Sequence, residues 1–255
     1  MRDINLVKKK YNEGGHALGT YVTLSPTAVE LAALAGFDFV RMDPYHNACS
    51  PEMLSNFFRA AYAHGVTPWA RVRNDPWEIM TCLDLGAQAI TVPNIGTVAA
   101  ARAAVNAMHY PPMGEREMSR PMRLRGLTAA QYLEWSQTQL LLSCQIEGAE
   151  GLENYKEIVK VKGVDCIQTG RNDISQALGV PGENLHPKVL EAEKRIVSAA
   201  LDAGKQVSLV HSLNADGLER AARWMEQGVR IMTIDSDYMV LLESYKGAVK
   251  KLRPS

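Results

Sequence analysis

Eight short apolar runs, each followed by a longer segment with helical periodicity, are the feature that most constrains the fold of this chain. The runs are rich in β-branched residues, and several of the intervening segments end at a glycine, as helices often do. The runs occupy residues 19–24, 37–43, 67–72, 87–93, 140–147, 164–170, 205–212 and 230–237. Eight strand–helix units in 255 residues predict an α/β chain folded as one (β/α)8 TIM barrel domain over 1–255. A doubly wound sheet would use the same alternation, but no G-x-G-x-x-G follows the first run.

The charge balance and the cysteines narrow the class of protein. Lys+Arg and Asp+Glu both total 28, so the chain lacks the cationic surplus that binds nucleic acid. The N-terminus has no apolar signal segment, and no stretch is apolar over a membrane-spanning length. The four cysteines form no C-x-x-C pair, which favours buried thiols over a zinc site or disulfides. We therefore expect a cytoplasmic protein, with neither nucleic acid nor a membrane as its partner.

The barrel prediction indicates where polar side chains would meet. Active sites of such barrels lie at the C-terminal ends of the strands, so residues far apart in sequence become neighbours there. The polar residues at these ends are Asp43, His46, Arg71, Arg73, Gln145, Glu147, Arg171, Asn172, Asp173, His211, Asp235 and Asp237.

Glu147 and Asp173 would follow adjacent strands at this mouth. Two carboxylates without a cation repel each other, and one of them is driven to take up a proton. Mg2+ binds proteins through one or two carboxylates and keeps its other positions for water and substrate oxygens. The pair indicates an open divalent-metal site. The alternative, equally weighted on spacing alone, is that each carboxylate caps the start of a helix.

Arg71 and His46 are candidates for substrate binding and for proton transfer. Arg71 lies in an otherwise apolar strand, where a guanidinium must meet an anion. That anion is either a substrate carboxylate, which suits the planar fork of arginine, or an acid on a neighbouring strand. His46 follows Asp43 by three residues in a loop. It is either a general base acting near neutral pH or an inert surface histidine.

Seven stretches, in this order, resemble the HpcH/HpaI aldolase family: DFVRMDPYH, ARVRN, CLDLGAQAITVP, YPPMGER, CQIEG, VDCIQTGRNDIS and DSDYMVLL. The family comprises class II pyruvate aldolases of the phosphoenolpyruvate/pyruvate-binding barrel superfamily, including 2,4-dihydroxyhept-2-enedioate and 2-keto-3-deoxy sugar-acid aldolases. The resemblance implies cleavage or formation of a 4-hydroxy-2-oxo acid through a pyruvate enolate, with an oxo acid and an aldehyde as substrates. It also implies a homohexamer, a trimer of dimers that exchange the C-terminal helix, about 238–252. The alternative is that this helix packs on its own barrel.

The resemblance further implies a role for individual residues. Glu147 and Asp173 match the metal ligands, for Mg2+ or Mn2+, with Co2+ as a further candidate. Arg71 matches the arginine that holds the pyruvate carboxylate, His46 the acid/base histidine, and Asp84 the aspartate that orients this histidine. The other substrate-binding positions are Gln145, Gly170, Arg171, Asn172 and Asp173.

The chain departs from the family pattern beside the predicted site. Tyr45 precedes the histidine where the family has an acid, and Arg171 replaces a proline. Arg171 would either bind a second substrate anion or pair with the carboxylates. These departures keep two alternatives open. One is a citrate-lyase-like or other enolate-forming lyase of the same superfamily, and the other is a barrel that binds an oxo acid without turnover.

Overall fold

The computed structural model describes residues 4–118 and 126–253. Within these ranges eight parallel strands close into a barrel, in which each strand pairs with its neighbours in sequence and the eighth pairs with the first. The strands are β1 (Ala17–Tyr21), β2 (Phe39–Met42), β3 (Thr67–Arg71), β4 (Ala89–Val92), β5 (Leu141–Ile146), β6 (Cys166–Thr169), β7 (Gln206–His211) and β8 (Ile231–Ser236). Each overlaps one predicted run, and the (β/α)8 fold is confirmed.

Helices surround the barrel; one precedes β1, and at least one helix follows each strand. They are α1 (Leu6–Asn12), α2 (Pro26–Leu34), α3 (Pro51–Ala63), α4 (Pro76–Leu85), α5 (Val98–Met108), α6 (Ala129–Gln139), α7 (Ala149–Ile158), α8 (Arg171–Ala177), α9 (Pro187–Asp202), α10 (Ala215–Glu226) and α11 (Asp237–Leu252). The side chains of Ser50, Asp75 and Thr97 accept backbone hydrogen bonds at the starts of α3, α4 and α5. These caps satisfy donors that a first turn leaves free, and they fix where the loops of the barrel mouth end.

Inside the barrel, two consecutive layers of side chains differ in chemistry. The first, called here the apolar layer, lies at the N-terminal ends of the strands and consists of Val7, Ala17, Phe39, Trp69, Ala89, Leu141, Cys166 and Ile231. Because alternate strand residues face inward, the next inward positions form a second layer. This polar layer consists of Arg41, Thr91, Ser143, Gln168, Ser208 and Thr233, each at most 1% exposed. The barrel is therefore apolar at its closed end and becomes polar toward its mouth.

The C-terminal helix α11 differs from the other helices. None of its residues is buried, and its apolar side chains at Val240, Leu241, Leu242, Tyr245 and Val249 are exposed. Within one chain, this helix does not bury its apolar residues against its own barrel. In the described part of the chain, no helix combines the length and apolar character needed to cross a membrane.

Candidate active site

The polar end of the barrel opens into a cavity of about 380 Å³, within the range of roughly 300–1,000 Å³ that small-molecule sites occupy. Strand ends and the first turns of α8 and α11 form its wall. The predicted residues that line it are Asp43, Arg71, Gln145, Gly170, Arg171, Asn172, Asp173, His211 and Asp235. The structure thus brings most of the predicted residues to one place. Glu147 lies behind the lining, against Gln145 and Gly170. The other predicted residues outside the lining are His46, Arg73, Asp84 and Asp237.

Glu147, buried beside the cavity, interacts electrostatically with Asp173, which lines it. Glu147 is 5% exposed, and its Oε1 accepts a hydrogen bond from the backbone N–H of Asn94 at 3.1 Å. Its Oε2 accepts one from Gln145 Nε2 at 2.5 Å. Burial, and after it the charge of Asp173, raises the pKa of Glu147 to about 7. A cation between the two carboxylates would relieve this penalty, so the pair fits a divalent ion.

Few side chains could coordinate a metal ion beside Glu147 and Asp173, and this limits which ion fits. Asp173 is exposed in the first turn of α8. Within residues 4–118 and 126–253, no three His, Cys, Asp or Glu side chains group closely enough to hold a metal. A hard ion such as Mg2+, which accepts two carboxylates and fills its shell with water and substrate oxygens, suits this donor set.

Gly170 allows Glu147 to occupy its position. A Cβ atom on this residue would lie 1.9 Å from Glu147 Oε2 and 2.8 Å from Gln145 Nε2. Any side chain here would displace the carboxylate or the amide. The glycine at the start of α8 is therefore a steric requirement of the carboxylate pair.

Arg71 forms a two-point ion pair with Asp43. Arg71 Nε lies 2.8 Å from Asp43 Oδ1, and Arg71 Nη2 lies 2.5 Å from Oδ2. The two residues come from neighbouring strands, since Asp43 directly follows β2 and Arg71 ends β3. The ion pair with a neighbouring acid, one of the two alternatives from the sequence, is present. Because Arg71 also lines the cavity, a substrate anion would meet a guanidinium that Asp43 already orients.

His46 and Asp84 are not brought together within one chain. His46 is exposed in the loop after β2, with its ring centre 4.6 Å from that of Tyr45. Asp84 lies in the last turn of α4 and accepts a hydrogen bond from the buried Arg116 at 2.6 Å. A helix that follows a barrel strand runs back antiparallel to it, so the last turn of α4 lies away from the mouth. Asp84 cannot orient the histidine of its own chain.

The β6–β7 side of the cavity carries polar groups without partners. Arg171 Nη2 donates to the carbonyl of Val210 at 3.0 Å, and its Nε lies 3.8 Å from Glu193 Oε1. Arg171 therefore pairs with Glu193 rather than with the Glu147–Asp173 pair. Its Nη1 and both ring nitrogens of His211 are buried and have no partner among the described residues. Burial and two nearby arginines lower the pKa of His211 to about 4, so this ring is neutral near pH 7.

Two other predicted positions serve local structure. Arg73 donates from Nε to Glu78 at 2.8 Å and is exposed. Asp237 Oδ2 accepts from the backbone N–H of Thr23 at 2.9 Å and so ties the start of α11 to the loop after β1.

Several residues at the site are absent from the sequence prediction, among them Asn94, Gln168 and Glu193. Asn94 presents its backbone N–H to Glu147 from a left-handed conformation, φ 51°, which asparagine tolerates better than most residues. Gln168 and Glu193 both line the cavity. Strand alternation from Gly170 could have placed Gln168 inside the barrel, whereas no local pattern marks Asn94 or Glu193.

Comparisons with known proteins identify the family of the chain. The model of the HpcH/HpaI aldolase/citrate lyase family matches residues 21–243, which confirms the resemblance seen in the sequence. A hydroxypyruvate/pyruvate aldolase of Pseudomonas aeruginosa is 32% identical over 95% of this chain and 91% of its own. A 5-keto-4-deoxy-D-glucarate aldolase of Shigella boydii is 32% identical over 92% and 90%. The crystal structure of an HpcH/HpaI aldolase from Desulfitobacterium hafniense has a TM-score of 0.92 at 26% identity, covering 99% of this chain and 98% of that one. The chain therefore belongs to the HpcH/HpaI aldolase/citrate lyase family and is a lyase of the aldolase and citrate lyase type.

Proposed function

We propose that this chain is a class II, metal-dependent aldolase that cleaves or forms 4-hydroxy-2-oxo acids through the enolate of pyruvate or a related oxo acid. The observation that carries the proposal is the buried Glu147, whose pKa burial and Asp173 raise to about 7, next to a cavity that Asp173 and Arg71 line. Such a site suits a cation and a small organic anion together. The names of the two aldolase relatives support an oxo acid and an aldehyde as the substrates.

Glu147 and Asp173 would hold the divalent ion, Mg2+ or Mn2+, with Co2+ as a further candidate. When bound, the ion supplies Lewis-acid stabilisation of the negative charge that develops on the oxo group. The residues of the barrel favour this route over a Schiff base, which needs a lysine at the mouth. None of the eight strands contains a lysine, and no lysine is among the described residues that line the cavity.

Arg71 would bind the carboxylate of the oxo acid. Because Asp43 holds the guanidinium at two points, little orientational freedom is lost when the anion arrives. Gln145 would lie near the oxo group, with its amide held by Glu147. Gly170, Asn172 and the backbone near Asp173 would complete the cradle of the oxo acid.

His46 would accept the proton of the 4-hydroxyl in cleavage and return it in the reverse direction, as a histidine can near neutral pH. Asp84 could orient this histidine only from a second copy of the chain, because it lies at the opposite end of its own barrel. This agrees with a homohexamer that exchanges α11, whose apolar side chains one chain leaves exposed. Light scattering should give a mass of six chains, and a monomer would contradict this part of the proposal.

The β6–β7 side would receive the aldehyde. Arg171 Nη1 and the ring nitrogens of His211 have no partner there within the described chain. Buried donors without partners favour a ligand that supplies acceptors. We therefore expect an aldehyde with a carboxylate or hydroxyl groups to react faster than an alkyl aldehyde of the same length.

The test is incubation of the protein with Mg2+ or Mn2+, pyruvate and a panel of acidic, hydroxylated and alkyl aldehydes, with product detected by mass spectrometry. Aldol product that disappears on chelation of the metal would support the proposal. Arg71→Ala should weaken pyruvate binding by about ten-fold or more, the cost of losing a charge-assisted pair. No product with any metal, together with unchanged pyruvate binding in Arg71→Ala, would overturn it.

A further inference from the structure

The polar layer beneath the cavity contains a cation that the proposed mechanism does not use. Arg41 is 1% exposed, and its guanidinium carbon lies 3.8 Å from the ring centre of Trp69. Among the described residues no carboxylate pairs with it, and burial lowers its pKa. A buried guanidinium without a counter-ion is costly. The hydrogen bonds of Arg41 in the polar layer therefore indicate its role.

Arg41 and Thr91 fix the side-chain amide of Gln168. Arg41 Nη1 donates to Gln168 Oε1, and Nη2 donates to Ser208 Oγ at 2.7 Å. The Thr91 hydroxyl accepts from Trp69 Nε1 at 2.9 Å, so its hydrogen is free to donate to Gln168 Oε1 at 3.4 Å. A flipped amide would set its NH2 group against the Arg41 guanidinium, which can only donate. Oε1 of Gln168 therefore faces the polar layer.

The amide nitrogen of Gln168 consequently faces the cavity that this residue lines. Gln168 lies two residues before Gly170, against which Glu147 packs. Its Nε2 forms no hydrogen bond within the described ranges. Gln145, its register partner on β5, is held in the opposite sense, because its Nε2 donates to Glu147 and its Oε1 has no partner in the described chain. The side-chain amides of the two glutamines are therefore oriented in opposite senses beside the cavity.

We infer that Gln168 is a recognition residue for the oxo acid, donating from Nε2 to an oxygen of this ligand, and that Arg41 is a positioning residue that holds the amide. The inference rests on the proposed function, because it requires an oxo acid in this cavity. An oxygen atom is favoured over an alkyl group at this point, since an alkyl group would displace water and leave the amide unpaired. The positive charge of Arg41 below adds to the preference for an electron-rich group.

Calorimetric titration of the Mg2+-loaded protein with pyruvate, 3-hydroxypyruvate and 2-oxobutanoate tests the contact. These ligands share the 2-oxo acid group and differ only at C3. We expect Gln168→Met to raise the Kd about ten-fold, the effect of one lost hydrogen bond. A rise for all three ligands assigns the bonded oxygen to the shared group, and a rise for 3-hydroxypyruvate alone assigns it to the C3 hydroxyl. An unchanged Kd for all three overturns the inference.

Arg41→Met tests the positioning role. Its Kd should rise for the same ligands as in Gln168→Met, and the double variant should bind no more weakly than Gln168→Met alone, because the two residues act as one unit. Fully additive effects, or an unchanged Kd in Arg41→Met, would contradict positioning. The double variant removes both members of the Arg41–Gln168 hydrogen bond, so neither group is left buried without the other. It therefore still gives a result where one of the single variants fails to fold.

Thr233→Val is the matched control. Thr233 belongs to the same layer, and its hydroxyl is buried without a partner in the described chain. The Kd values of Thr233→Val for the three oxo acids should therefore match those of the unmodified protein. If the unmodified protein binds none of the three oxo acids, the proposed function fails and this inference fails with it. If it binds them and Gln168→Met binds them equally well, only the inference fails.

Discussion

Two consecutive layers inside one barrel show how this chain divides stability from chemistry. In the apolar layer, side chains such as Trp69 and Leu141 are fully buried and packed together. One inward position further along the strands, the polar layer buries the guanidinium of Arg41 and leaves the hydroxyl of Thr233 without a partner in the described chain. An unsatisfied buried polar group costs about 1–3 kcal/mol. The layer next to the cavity thus stabilises the fold less than an apolar one would, as expected where polar groups serve a ligand.

The largest expected effect lies on the polar side of this comparison. Glu147→Gln should lower kcat/KM for aldol cleavage on the order of 10²–10³-fold, because it removes an anionic ligand from the proposed metal site. It should not lower the melting temperature, because it also removes a buried carboxylate whose ionisation burial opposes.

Steady-state kinetics and thermal melting check both parts of that prediction. Glu157→Gln is the matched control, because Glu157 is exposed on α7 and, among the described residues, forms an ion pair only with Lys160, at 2.7 Å. If Glu147→Gln kept the turnover of the unmodified protein, Glu147 would have no role in catalysis, and the prediction would be wrong.

The apolar layer should show the reverse behaviour. Leu141→Ala should lower the free energy of unfolding by roughly 2–5 kcal/mol, because it removes a fully buried side chain and leaves a cavity. At temperatures where the variant stays folded, its kcat should match that of the unmodified protein. Urea unfolding followed by circular dichroism measures the first effect. A large fall in kcat without loss of stability would contradict the division between the layers.

A smaller effect should appear in the dependence of stability on pH. The pKa of His211 is lowered from 6.5 to about 4, so the folded state binds fewer protons than the unfolded state between these values. Stability should fall as pH falls from 6.5 toward 4. His211→Gln should reduce this fall by an amount on the order of 1–3 kcal/mol.

Urea unfolding at pH values within that window measures the His211 effect. Thr233→Val provides the control, since it removes no titratable group and should leave the pH dependence unchanged. Equal pH dependence in His211→Gln and the unmodified protein would show that His211 is not held neutral beside the cavity.

The smallest effect should come from Thr233→Val. This change keeps the shape of a side chain in the polar layer and removes a hydroxyl that has no partner among the described residues. We expect the free energy of unfolding to stay the same or to rise by up to about 1 kcal/mol. A loss as large as that of Leu141→Ala would mean that the two layers contribute alike to stability.

The strand pattern predicted the barrel and several residues of the cavity wall, because side chains at strand ends must converge at one mouth. The polar layer was not predicted, because Arg41 and Gln168 lie inside strand runs where buried parallel strands are normally apolar. Only the contacts between these two residues show that they act together. Asp84 shows a different limit. The resemblance assigns it a role beside His46, but the direction of α4 separates the two residues within one chain.

Titration with Mn2+ followed by electron paramagnetic resonance tests most directly whether Glu147 and Asp173 hold a divalent ion. We expect one bound ion per chain, with binding lost in Glu147→Gln and in Asp173→Asn and retained in Glu157→Gln. No bound Mn2+ in the unmodified protein, or equal binding in all the variants, would contradict this expectation.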